Sequence, residues 1–297
     1  MNDVDICVAT YRRPQWLAQL LGDIANQDLG PDVQRRVIVV DNDPEGSAEP
    51  VLALFPLGRL QLLYLKQPVK NIALTRNLAL EHCNAHWVAW LDDDETVPAH
   101  WLRSLLACQQ THAADVVIGP VDGRFTADAP TWVRKGGFFV NPPLPTGTRV
   151  DFGGTGNALI RGRLVQQGQR FDQRFGLTGG EDTDFFYRLA RAGHKLVWCQ
   201  EALALEHLPA ERMTLPWLLR RGFRSGQMFA DIVARPRRRL PRIAWAARQC
   251  AAAVANAVPA LCLLPVAFGL SARYACRLAA NVGQLSTLKH HRFQEYR

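Results

Sequence analysis

Three carboxylates in a row, Asp92, Asp93 and Asp94, follow directly on the apolar run from Trp87 to Leu91. Adjacent carboxylates repel one another, so gathering them in a folded chain costs free energy unless a cation sits among them. Oxygen-only donors suit a hard divalent ion, Mg²⁺ or Mn²⁺, which takes one or two carboxylates and completes its shell with substrate phosphates. The chemistry this allows is the anchoring of a nucleotide diphosphate. The same residues could equally form a solvated acidic turn that caps the helix after Pro98, and on this stretch alone the two readings stand level.

A second acidic pair, Glu181 and Asp182, stands behind Gly179 and Gly180 and ahead of the apolar positions Phe185, Phe186 and Leu189. Acids at a helix start ordinarily serve the helix dipole. A carboxylate held there by a rigid turn can also work as a general base. Glu206 and His207 close another apolar run, where His207 could complete a metal site, contact a phosphate, or be an ordinary structural histidine. Asn157 follows a glycine-rich turn, Gly153 to Gly156, and reads equally well as turn or ligand contact.

Those residues need elements to position them. Strands are expected over Asp5–Thr10, Arg36–Asp41, Leu60–Leu65, Trp87–Leu91, Asp115–Gly119 and Leu196–Leu205, with another from Asn157. Amphipathic helices fill the intervals, around Trp16–Ile24, Val51–Phe55, Asn71–Cys83, Trp101–Cys108 and from Glu181 to Gly193. Strands this apolar are buried on both faces, so the alternation predicts an α/β fold with a mostly parallel sheet between helices. Ligands of such sheets bind beyond the carboxyl ends of the strands, where Thr10, Tyr11, Asp41, Asp43 and Asp92–Asp94 all fall. That convergence favours a site over a solvated turn. Neither GxGxxG after the first strand nor GxxxxGK[ST] anywhere is present, so a Gly-rich phosphate cradle is disfavoured. Residues 120–150, rich in Pro, Gly and aromatics, read as a long loop region over the site.

The formal net charge of +8 is local. Arg212 to Arg248 carries ten arginines, no lysine and one acid, Asp231, which leaves the rest of the chain near neutral. With no interleaved aromatics beyond Trp217, Phe223, Phe229 and Trp245, and an apolar segment beside it rather than a reader motif, this is not a nucleic-acid footprint. Prolines in Arg235–Arg242 preclude one continuous helix. Cys250 to Leu270 carries no charge, but Asn256, Pro259 and Pro265 weaken it as a span, and much of it is Ala rather than Leu. Residues 243–288 therefore read as one or two helices in a membrane interface, flanked by arginines that attract anionic headgroups, with a single span the second choice and a soluble buried helix pair the third. Seven cysteines without CxxC spacing, and an N-terminus without a secretory pattern, suggest reduced thiols in the cytoplasm.

Taken in order, Val8–Pro14, Val39–Asn42, Asn71–Asn77, Leu91–Glu95, Thr155–Ile160 and Gly179–Phe185 resemble the motifs of a family 2 glycosyltransferase of GT-A (Rossmann-like) fold, nearest in flavour to bacterial exopolysaccharide transferases of the succinoglycan type. The resemblance covers roughly residues 3–226. It implies a catalytic domain over 1–211 and a basic, apolar helical extension over 212–297. It implies that Thr10, Tyr11 and Arg13 line a nucleotide pocket and that Asp41 meets the base or ribose. Arg76 and Asn77 would lie near the sugar diphosphate. Asp92 and Asp94 match the outer positions of a DxD motif with Asp93 between them on the donor side, and Asp94 would be the main metal ligand, joined by Asp92 and His207. Asp182 would be the catalytic base, with Glu181 and Asn157 on the acceptor side, and Arg220, Arg221 or Arg224 would reach the diphosphate. The Gln-x-x-Arg-Trp of processive synthases is absent, which favours addition of one sugar. The implied reaction is an inverting, metal-dependent transfer from a nucleotide sugar, most simply a UDP-sugar, to a lipid-linked saccharide in cell-surface polysaccharide assembly. It would run at the cytoplasmic face of the bacterial inner membrane, with no nucleic-acid partner. Nucleotidyl transfer is disfavoured by the short turn after the first strand. A membrane-docking protein with a degenerate, inactive transferase domain is the reading from outside enzymology.

Overall fold

The computed structural model describes residues 3–30, 33–56, 60–234 and 239–289. In chain order the first half holds β1 (Val4–Thr10), α1 (Pro14–Ala25), β2 (Arg35–Asp41), α2 (Glu49–Leu54), β3 (Gln61–Lys66), α3 (Ile72–Glu81), β4 (Trp87–Asp92), β5 (Glu95–Thr96), α4 (Trp101–His112), β6 (Val116–Ile118) and β7 (Val121–Arg124). There follow α5 (Thr131–Gly136), β8 (Asn157–Arg161), α6 (Gly162–Gln166), α7 (Glu181–Arg191), β9 (Leu196–Trp198), β10 (Ala204–His207), α8 (Leu215–Phe229), α9 (Arg239–Cys262) and α10 (Phe268–Ser286).

Seven strands form one sheet in the order β3-β2-β1-β4-β8-β6-β9. β1 to β4 run parallel, β8 runs antiparallel between β4 and β6, and β9 returns parallel to β6. The continuous apolar runs are explained by two cores, one on each face. Ile6, Val8, Val37, Val39, Ala89 and Leu91 point to the side of α1 and α4. The alternate residues Cys7, Ile38, Val40, Val88 and Trp90 point to the side of α3 and α7. Local chemistry sets the helix starts. Pro14 opens α1, whose Leu17, Leu20, Leu21 and Ile24 are buried at helical spacing. The Asn71 side chain accepts from Leu74 N and caps α3.

The expected alternation is present, with two corrections. The single strand over Leu196–Leu205 is two, because a turn closed by Ala202 N donating to Cys199 O sends β9 to the large sheet and β10 to a small sheet of order β5-β10-β7. The 120–150 stretch is not plain loop, since it holds β7 and α5, the latter entered through Pro130.

Residues up to Gly123 together with Asn141–His207 form one compact unit, and Arg124–Val140 together with the chain from Leu208 form a second. The second has its own apolar centre, with Val133, Phe139, Leu208, Met213 and Leu218. The two expected C-terminal helices are α9 and α10. Of the run Arg235–Arg242, residues 235–238 lie outside the described residues, and Pro241 falls in the first turn of α9, where proline is tolerated. Among the described residues no helix is long and apolar enough to cross a membrane, so the single span is not supported.

Candidate active site

The chain leaves β1 for β2 and β3, then returns to lay β4 on the other side of β1. This reversal opens a crevice at the carboxyl ends of β1 and β4. Register fixes what lies there: Ala9 is paired with Asp92, and Thr10 with Asp41.

The acids past β4 are held apart by protein cations. Arg13 Nη1 donates to Asp93 Oδ1 at 2.8 Å and to Asp94 Oδ2 at 2.9 Å. Asp93 is further tied by the Thr10 hydroxyl at 2.8 Å, and burial pushes its pKa up to about 6 against the pull of Arg13. Burial also works against the charge of Arg13, yet Asp93 and Asp94 outweigh it and raise its pKa. Arg76 Nη2 donates to Asp92 Oδ1 at 3.1 Å, and Nη1 donates to Glu181 Oε1. One buried guanidinium thus ties the end of β4 to the first turn of α7. Glu181 is buried, and burial first, then Asp182, push it up to about 7 against the pull of Arg76. The cation demanded by three adjacent carboxylates is supplied, in this structure, by two arginines.

Asp182 sits one residue inside α7. The turn before it is possible because Gly179 and Gly180 have φ of +74° and +96°, a region open to glycine at little cost. The turn Gly153–Gly156 separates this carboxylate from β4. A methyl group at Gly154 would stand 3.4 Å from Asp182 Oδ2, and one at Gly156 would stand 3.4 Å from Asp92 Oδ2. Both carboxylates therefore flank the same glycine turn. A methyl at Gly156 would also lie 2.4 Å from Glu95 Oε1. Glu95 is fully buried, its pKa is raised well above the usual carboxylate range by burial, and it accepts from Asp92 N at 3.0 Å.

Thr10, Tyr11, Arg13, Arg76, Asp92, Asp93 and Asp94 are brought together at this edge. Asp41, Asn77, Asn157 and Glu181, expected as ligand contacts, are corrected by burial and prior commitment, whereas the structure only locates His207, Arg220 and Arg221. Asp41 is fully buried, accepting from Asp43 N and Ala48 N at 2.9 and 2.8 Å and from the Tyr64 hydroxyl, so it shapes the turn after β2 rather than facing a base or ribose. Asn77 exchanges two hydrogen bonds with the Phe171 backbone and pins the loop before α7. Asn157 accepts from Trp101 Nε1 at 2.9 Å and donates to Pro120 O and Ala202 O, which makes it a buried strut, not an acceptor contact. Glu181 faces Arg76 in the interior rather than an acceptor. The His207 ring stacks on Trp16 and its Nε2 lies 3.2 Å from Gln19 Oε1, while its backbone N–H donates to Asp94 O at 2.7 Å. Arg220 and Arg221 lie on α8 in the second unit, and the Arg221 guanidinium lies over the rings of Phe139 and Trp217.

Tyr11 was expected in the nucleotide pocket, whereas Arg12 and Glu95 escaped the sequence reading. Tyr11, 38% exposed, lies under both Arg12 and Lys70, whose charged groups are 5.3 and 5.5 Å from the ring centre. Arg12 has φ +54° and pairs with Asp43. Glu95 was visible only as the last acid of a run.

Among the described residues no three His, Cys, Asp or Glu side chains gather as a ready metal cage. The donors still fit a hard divalent ion of the kind that needs one or two carboxylates plus phosphates: Asp92 is the open one, its side chain 39% exposed, and Asp94 stands two residues on.

The family model described as "Glycosyl transferase family 2" matches residues 5–167. The chain belongs to that family and is a glycosyltransferase. It is 39% identical over 244 residues to the succinoglycan biosynthesis protein ExoM of Rhizobium meliloti, covering 82% of this chain and 78% of that one. It is 30% identical over 217 residues to a pre-mycofactocin glycosyltransferase of Mycobacterium tuberculosis, covering 70% of this chain but 44% of that protein. In fold it is similar to the mannosyltransferase PcManGT of Pyrobaculum calidifontis, solved with GDP-Man and Mn²⁺, at a TM-score of 0.64 and 19% identity over 96% of this chain and 86% of that one. It is also similar to Staphylococcus aureus TarS 1–349, solved with UDP-GlcNAc, at a TM-score of 0.55 and 15% identity over 99% and 93% of the two chains. The fold is thus GT-A-like, a mostly parallel sheet flanked by helices with a C-terminal helical extension.

Proposed function

We propose that the chain moves one sugar, with inversion, from a nucleotide sugar to a lipid-linked saccharide during assembly of a cell-surface polysaccharide. The observation that carries this reading is the glycine turn flanked by Asp92 and Asp182, whose Oδ2 atoms lie 3.4 Å from where methyl groups at Gly156 and Gly154 would stand. The donor lies along β1 and β4, its diphosphate toward Asp92 and Asp94 and its base toward Tyr11 and the turn that Asp41 holds. Asp94 and Asp92 would hold a divalent ion, Mg²⁺ or Mn²⁺, which would supply positive charge to the nucleotide diphosphate. Arg13 and Arg76 keep those carboxylates oriented. Asp182 takes the proton of the acceptor hydroxyl as its oxygen bonds to the anomeric carbon and the bond to the diphosphate breaks on the opposite face. Succinoglycan assembly by the Rhizobium relative supports the polysaccharide setting, and UDP-GlcNAc and GDP-Man in the two structural neighbours support a nucleotide-sugar donor. A lipid-linked acceptor puts the enzyme at the cytoplasmic face of the inner membrane, met through residues 243–288.

Calorimetric titration with UDP and with GDP, each with and without Mn²⁺, tests the donor site. Binding of one nucleotide that requires the metal is expected. No binding of either with metal present would sink the proposal.

A further inference from the structure

The α9–α10 pair buries polar side chains beside Trp245, Ala260 and Ala272 and exposes large apolar ones. Asn281 Nδ2 donates to Gln249 Oε1 at 2.9 Å, and Asn256 Nδ2 donates to Asn281 Oδ1 at 3.1 Å. Ser271 Oγ donates to Ala260 O at 2.5 Å. Gln249 and Ser271 are buried. The outward positions are the reverse: Val254, Val258, Leu261, Leu264, Val266 and Phe268 are all exposed, Val266 by 78%. On α9 they recur every three or four residues and continue into the turn to α10. Water selects the opposite arrangement, apolar side in and polar side out.

The packing of α10 on α8 points the same way. A methyl at Gly226 would stand 2.0 Å from Ala280 O, and one at Gly283 would stand 2.0 Å from Phe223 O. Small residues let these backbones meet and polar side chains cross-link α9 to α10, an association that does not depend on burying large apolar groups. Between Arg248 and Arg273 no residue is charged, and Arg248, Arg273 and Arg277 are exposed.

We infer that the outer face of α9 and the α9–α10 turn insert into one leaflet of a bilayer rich in anionic lipid, with Arg248, Arg273 and Arg277 at the headgroups. The inference deepens the proposed membrane setting by naming the inserting face, its depth and the lipid charge. Arg273 lies five residues into α10, roughly 8 Å from its start at the helical rise. That limits insertion to the boundary between headgroups and chains, where interfacial helices lie, and excludes a span. The charge selects the lipid, because three exposed guanidiniums around an uncharged surface favour anionic headgroups and have no apolar role.

The test uses the full chain with phosphatidylcholine vesicles, with or without phosphatidylglycerol. Co-sedimentation only with the anionic vesicles is expected. A fluorophore on Cys262, an exposed thiol of the same face, in Cys250→Ser protein should shift to the blue and be quenched by lipid brominated on its chains. Leu261→Asp with Val266→Asp, at positions with little to lose in the fold, should cut vesicle binding at least tenfold with the circular dichroism unchanged. Arg273→Ser with Arg277→Ser should erase the preference for anionic lipid. Wild-type binding by the aspartate variant overturns the inserting face, and an undiminished anionic preference in the serine variant overturns the role of the arginines. Wild-type protein that ignores vesicles but runs as a dimer, split by the aspartates, assigns the face to a second copy instead. Vesicle binding needs neither donor nor acceptor, so lost nucleotide binding with vesicle binding intact would count against the transferase site and leave this inference standing.

Discussion

Replacing Arg76 with Met tests the wiring of the site. Its guanidinium is the buried tie between Asp92 on β4 and Glu181 on α7, and the Glu181 side chain is 3% exposed. Glu181 Oε2 has no hydrogen-bond partner among the described residues, so Arg76 is the charge that keeps this carboxylate tolerable in the interior. Removing one partner of a buried pair typically costs ~3–5 kcal/mol, a large share of the ~5–15 kcal/mol that holds a domain together. The cost should depend on pH. Glu181 rises from 4.5 to about 7 on folding, through burial and then Asp182, with Arg76 opposing. A carboxyl whose pKa rises on folding binds its proton more tightly in the native state. Its contribution is fully present below pH 4.5 and is lost as pH rises through about 7. That shift corresponds to ~3 kcal/mol. Without Arg76 the folded pKa rises further, so the Arg76→Met deficit should be larger at high pH, where Glu181 must ionise unpaired. Urea unfolding at about pH 6 and about pH 8.5 reads this directly. The deficit relative to wild type should grow by at least ~1 kcal/mol between the two. Adding Glu181→Gln should remove that growth. A deficit equal at both pH values, or one whose pH dependence survives Glu181→Gln, would refute the argument.

Asp182→Asn should lower kcat by ~10²–10⁴-fold while the KM for the donor stays near wild type, as loss of a general base requires; retained turnover would remove Asp182 from that role. Asp94→Ala should abolish the metal-dependent part of UDP or GDP binding in the calorimeter, and unchanged binding would make the carboxylate purely structural. Gly156→Ala places a methyl 2.4 Å from Glu95 Oε1 and should lower stability by ~1–3 kcal/mol while setting that methyl against Asp92 Oδ2; a variant with wild-type melting and wild-type transfer would show that the turn yields freely.

How much of this was legible in the chain differs from element to element. The parallel strands were, because residues such as Ile6 and Cys7 must be buried on opposite faces, which makes the run continuously apolar. The break between β9 and β10 was not, since the turn lies inside one apolar-looking stretch and is visible only through its closing hydrogen bond. The helix within 120–150 was likewise hidden by proline and glycine, which mark turns without excluding a short helix after Pro130.

For the site, local sequence determined which residues lie at the strand ends, because a strand's last residue is set by where its apolar run stops. It therefore brought Thr10, Tyr11, Arg13 and Asp92–Asp94 to one edge and put Asp182 at a helix start. Tertiary structure alone decided what each side chain does there. Asp41, Asn77, Asn157 and Glu181 carry the same polar groups as true ligand contacts, yet the backbone and Arg76 have already claimed them. It also decided that the cations among the acids are Arg13 and Arg76, distant in sequence from Asp92–Asp94 and Glu181. The physical reason is that hydrogen bonding and ion pairing depend on separation in space, whereas hydrophobic periodicity is written along the chain.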